Sequence, residues 1–103
     1  MPSWKPNFNP DYFYFVTTGA VDSLHIFQRD VIRRIILDTL DCFRLRNRFK
    51  LYCFVIMPNH IHFIGQFAEN DPLAEVIRDF KRQTSDRIVR HFGSEGKVDE
   101  MAL

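Results

Sequence analysis

Leu51-Tyr52-Cys53-Phe54-Val55-Ile56-Met57-Pro58-Asn59-His60-Ile61-His62-Phe63-Ile64-Gly65-Gln66-Phe67 decides the fold of this 103-residue chain. Two apolar runs rich in β-branched and aromatic residues flank Met57-Pro58-Asn59, a connection so short that the runs can pair only as an antiparallel hairpin. Strand side chains alternate between faces, so His60 and His62 share one face about 6–7 Å apart along the strand. Two imidazoles so placed can grip one cation, and the tight turn before them holds them at a sheet end within reach of solvent. By spacing alone, a pair of solvated strand histidines fits as well.

Working outward, Asp71-Pro72 after the hairpin reads as an N-cap followed by proline at the first helical position. The helix it opens is expected to run to about Phe92 and stop at Gly93, with Leu73, Val76, Ile77, Phe80, Thr84 and Ile88 facing the core. Before the hairpin, residues 28–47 place Ile32, Ile36, Leu40 and Phe43 on one stripe and Asp30, Arg34, Asp38 and Asp41 opposite, an amphipathic helix. The run Tyr12-Phe13-Tyr14-Phe15-Val16-Thr17-Thr18, closed by Gly19, predicts a buried first strand. The order β-α-β-β-α predicts an α+β fold, ferredoxin-like, with an antiparallel sheet, helices on one face and the last strand lacking. Residues 1–10 form an irregular lead-in, 11–93 the domain, and 94–103 a short polar tail. A sheet without its last strand keeps an unpaired edge, which predicts a homodimer through that edge.

The composition narrows the class of function. A chain of this length is one domain with a modest core, and eleven phenylalanines supply most of that core. A net charge of +1 excludes a surface that is basic throughout, so any contact with nucleic acid requires a local patch. The second helix offers one, with Arg78, Lys81, Arg82 and Ser85 on one flank and Glu75, Asp79 and Asp86 on the other. Arginine forks and a lysine point charge would attract a phosphate backbone there, though a solvated flank of ion pairs has the same composition. Cys42 and Cys53 fall in apolar patterns and read as buried free thiols. No run approaches a membrane span and the first residues carry no signal segment, so a cytoplasmic location is expected. His25 and His91 belong to no histidine motif in the sequence and receive no role.

The chain resembles the REP-associated tyrosine transposases of the insertion-sequence-two-hundred-like, HUH single-strand transposase superfamily. The resemblance spans Asp11 to Phe92 and rests on Tyr14-Phe15-Val16-Thr17, on Phe54 through Ile64 across the hairpin, and on Phe80-Lys81-Arg82-Gln83-Thr84-Ser85. It implies a ferredoxin-like domain that binds single-stranded DNA hairpins and cleaves beside them. It further implies that His60 and His62 hold Mg2+ or Mn2+ and that a tyrosine on a later helix attacks the phosphate; in such chemistry the basic flank of Arg78, Lys81 and Arg82 would steady the DNA backbone. This sequence has no tyrosine after Tyr52, and Tyr12, Tyr14 and Tyr52 sit in core-like strands. The chain therefore reads as the N-terminal part of a longer transposase, with the metal half-site present and the covalent step absent.

Two other readings stand beside this one. A catalytically silent ferredoxin-like module would bind nucleic acid or protein without an ion. A metal-dependent hydrolase using water would need a further ligand, for which Gln66 on the same strand face, Glu69 and Asp71 are the nearest candidates in sequence.

Overall fold

The computed structural model describes residues 8–19 and 25–93, arranged as β1 (Tyr14–Gly19), α1 (Asp30–Leu45), β2 (Lys50–Ile56), β3 (His60–Gln66) and α2 (Leu73–Gly93), with a single 3-10 turn over Ile26–Gln28 before α1. The three strands form one antiparallel sheet in the order β1-β3-β2. This is the expected α+β order, with the two helices covering one face of the sheet. Most of the expected lead-in, at residues 1–7, and the expected tail lie outside the described residues.

The core follows from the two periodicities. On β3, Ile61 and Phe63 are buried, as is Phe67 just beyond its end, and each alternate residue is only half-buried. Against them lie Ile32, Ile36, Leu40 and Phe43 of α1 and Val76, Phe80, Ile88 and Phe92 of α2, at the spacing that makes one helical stripe. Phe80 ties the layers together: its ring meets Phe43 edge-on at 5.8 Å and Phe63 at 6.4 Å. Seven phenylalanines are buried, whereas Phe13, Phe15 and Phe54 are exposed, so the aromatic content is shared between core and surface.

Gly65 shows how tightly the sheet is filled. It faces the core, and a Cβ there would lie 3.0 Å from Phe49 Cδ2 and 3.3 Å from Phe67 Cζ. The stacked rings of Phe49 and Phe67 therefore need the missing side chain. The end of α1 is set by Asn47, whose φ of 57° is left-handed. Asn47 N donates to the Arg44 carbonyl and Arg48 N to that of Phe43, a paired closure of the last turn.

Several sequence expectations are corrected. The first strand is not buried on both sides: Val16 and Thr18 face the helices, while Phe13, Phe15 and Thr17 are exposed. Tyr12 and Tyr52 are likewise exposed rather than core residues, and so is the Cys53 thiol, although both cysteines are free. A bulge between Leu51 and Cys53 leaves Tyr52 as an extra residue against β3, which is why β2 does not alternate as its sequence suggests. The Asp71 carboxylate does not cap α2. It forms a two-pronged ion pair with Arg48 at 2.6 and 3.0 Å, while the Pro72 carbonyl accepts from the amides of Glu75 and Val76. Arg48 also reaches Asp79 at 3.0 Å, so one guanidinium links the end of α1, the entry to α2 and its second turn. Those carboxylates push the Arg48 pKa further up, and the Arg48 hydrogen bond chiefly holds Asp79 below its ordinary range, against an opposing desolvation effect.

Candidate metal and nucleic-acid site

The turn carrying the histidines is fixed from two sides. Met57 N donates to the His60 carbonyl at 2.7 Å, which closes the hairpin around Pro58 and Asn59. Phe27 N, just before α1, donates to the Pro58 carbonyl at 2.8 Å and anchors the turn to the buried Phe27. Across the sheet, His60 pairs with Gly19, and a Cβ at residue 19 would come within 3.2 Å of the Asn59 carbonyl. The absent side chain leaves room beside the turn.

His60 and His62 share the sheet face turned away from the helices, with ring centres 4.4 Å apart and planes at 78°. Each ring is held by a neighbour. His60 Nδ1 donates to Asn59 Oδ1, and His62 Nδ1 lies 2.8 Å from Thr17 Oγ1, on the residue paired with it across β1. Phe15 stacks on His62 at 5.2 Å and 15°. Two imidazoles at neighbouring positions of one octahedral cation have ring centres on the order of 4.5 Å apart, so the separation fits chelation. Among the described residues no third His, Cys, Asp or Glu joins the pair. Two of the further candidates are engaged elsewhere: Gln66 bonds Tyr52 Oη and the Pro10 carbonyl, and Asp71 bonds Arg48.

The face around the pair is apolar and aromatic. Registers place Phe15, Thr17 and Gly19 of β1, Ile64 of β3, and Cys53 and Val55 of β2 beside it. Phe15 is 68% exposed, and a shallow groove of about 190 Å³ runs between Phe15, Val55, Ile64 and His62. Phe13 and Tyr52, with ring centres 4.8 Å apart, extend the aromatic surface beyond it.

Residues that the sequence grouped on α2 stand apart from this face. Phe80 of α2 packs on Phe63, on the opposite side of the sheet from the histidines, so the sheet lies between α2 and the pair. Lys81 lines a cavity of about 80 Å³ with Thr18 and Gly19, at the histidine end of the sheet but on the helix side. Arg78 and Arg82 both lean on Asp79, at 3.6 and 3.3 Å, so the acidic and basic flanks expected on this helix merge. All three tyrosines lie toward the far end: Tyr14 pairs with Gly65 and stands 6.3 Å from Tyr12, while Tyr52 reaches Gln66. The sequence reading missed Thr17 and Phe15 as partners of His62, because cross-strand register is not written in either strand alone.

A family model described as "Transposase IS200 like" matches residues 22–100. Among solved structures, one described as a REP-associated tyrosine transposase bound to a REP hairpin superposes with a TM-score of 0.61 at 17% identity. That alignment covers 85% of this chain and 53% of the other, so the chain spans about half the length of that relative. No curated protein matches the chain.

Proposed function

We propose that this chain, which belongs to the IS200-like transposase family, binds single-stranded DNA across the open face of its sheet and presents a phosphate to a divalent cation held by His60 and His62. The observation that carries this reading is the imidazole pair, 4.4 Å apart on an exposed face, with an exposed phenylalanine stacked against it. Phe15, Phe13 and Tyr52 offer base-sized aromatic surfaces, and stacking on such rings tolerates any sequence. On the helix side Lys81 adds a phosphate-attracting charge, and Arg78 and Arg82, which share the single carboxylate of Asp79, keep that flank net positive, so a folded hairpin stem would meet charge there rather than ring faces. The solved structure with a REP hairpin supports a hairpin substrate.

Mg2+ or Mn2+ fits the donor set, and when bound it would polarise a phosphoryl oxygen and offset charge developing at phosphorus. With two protein ligands among the described residues, the histidines leave open positions for substrate oxygens. The tyrosines of this chain lie at the other end of the sheet, so a covalent phosphotyrosine step is not supplied by them. We expect the chain alone to bind Mn2+ weakly and to leave a hairpin substrate uncut.

An NMR titration tests the reading. Mn2+ should broaden the His60 and His62 ring signals first, and His62→Ala should abolish that selectivity. Unchanged ring signals, or a covalent DNA adduct formed by the chain alone, would contradict it. Among the described residues no third His, Cys, Asp or Glu joins the pair, which favours one second reading, a silent DNA-binding module; in it, DNA binds while Mn2+ leaves both rings untouched.

A further inference from the structure

We propose that Thr17 and Asn59 are positioning residues that fix the tautomers of the two histidines, so that Nε2 of each ring keeps its lone pair for a ligand. The carboxamide oxygen of Asn59 can only accept, so its contact with His60 Nδ1 requires the proton on Nδ1. His60 Nε2 is then the bare nitrogen. The same outcome at His62 depends on Thr17. A hydroxyl can donate or accept, but Thr17 is exposed, so its own proton can go to water while its oxygen accepts from Nδ1 at 2.8 Å.

The ring of His62 cannot readily flip to exchange its nitrogens. Phe15 covers one face at 5.2 Å, and the His60 ring stands 4.4 Å away, nearly perpendicular. Position and tautomer are therefore set by three different elements: Phe15 and Thr17 on β1, the turn residue Asn59, and β3 itself. In an unconstrained histidine side chain the Nε2–H form predominates, so two Nδ1–H histidines in one pair mark an imposed arrangement rather than a default. An oxygen partner on the far nitrogen also fixes the orientation of the ring, the effect such partners have at metal-binding histidines generally.

The consequence for metal rests on the proposed function, but the tautomers do not, and the test separates them. Long-range 1H–15N correlations of the metal-free chain at a pH of about 8.5, where ordinary histidines are neutral, report which ring nitrogen carries the proton. Wild type should show Nδ1–H at both residues. Thr17→Val should return His62 to Nε2–H and leave His60 unchanged, Thr17→Ser should retain the wild-type form, and Asn59→Ala should shift His60 alone. Thr17→Val should also weaken Mn2+ binding by about 10–100-fold. A wild-type His62 protonated at Nε2, or one indifferent to Thr17→Val, would overturn the proposal. Tautomers that behave as stated in a chain whose rings ignore Mn2+ would support the positioning roles and overturn the metal reading instead.

Discussion

Phe15→Ala separates DNA binding from stability on this face. Phe15 keeps 68% of its surface exposed. It therefore buries about a third of a side chain of roughly 200 Å², or about 65 Å², and truncation removes at most about 1.6 kcal/mol of folding free energy at about 25 cal/mol per Å². For a domain of this size that lowers Tm by on the order of 5–10 °C. Loss of one stacked base costs about 1–3 kcal/mol of binding, or roughly 5–150-fold in Kd. The assay is fluorescence anisotropy with a labelled DNA hairpin carrying a single-stranded flank, at fixed salt and below the Tm of every variant. Phe15→Leu keeps apolar cover without a π face and should bind as weakly as Phe15→Ala, while Phe15→Trp should restore affinity. Val16→Ala is the control: Val16 is buried on the helix side, so its truncation should lower Tm and leave Kd within twofold. Equal affinity of Phe15→Ala and wild type, or an equal loss in Val16→Ala, would refute base stacking on this face.

Three further outcomes are expected. Gly65→Ala should lose about 1–3 kcal/mol, because its Cβ meets Phe49 Cδ2 at 3.0 Å within a stacked ring pair; an unchanged urea midpoint would refute the tight fit. The depressed Asp79 pKa means that its contribution is complete above about pH 4, near the unfolded carboxylate value, and is lost as pH falls through the lower folded value. Asp79→Asn should therefore show a shallower stability loss below pH 4 than wild type in urea melts, and parallel curves would refute the linkage. Among the described residues, β1 and β2 each have one unpaired edge, so light scattering at high concentration should give a mass above the 12.3 kDa monomer, and a monomer would rule out edge pairing.

The local elements were legible because their causes are local. The 3.6-residue stripe of Ile32, Ile36, Leu40 and Phe43 and the two-residue alternation of β3 each need only one segment to be read, and the helix stripe is buried as expected. The same alternation places His60 and His62 on one side of β3. Asp71 shows where local reading stops: its sequence context is that of a helix cap, but Arg48, 23 residues away, offers two charge-assisted bonds and takes the carboxylate.

The hairpin, the two amphipathic helices and the shared face of the histidine pair follow from the residue order alone, since backbone sterics and hydrophobic periodicity act over a few neighbouring residues. Long-range packing is what sets Thr17 opposite His62, stacks Phe15 on its ring, and puts the sheet between α2 and the pair. Those facts depend on strand register and on which face the helices cover. Both are settled by burying one continuous apolar surface among segments distant in the chain, and no single segment carries that information.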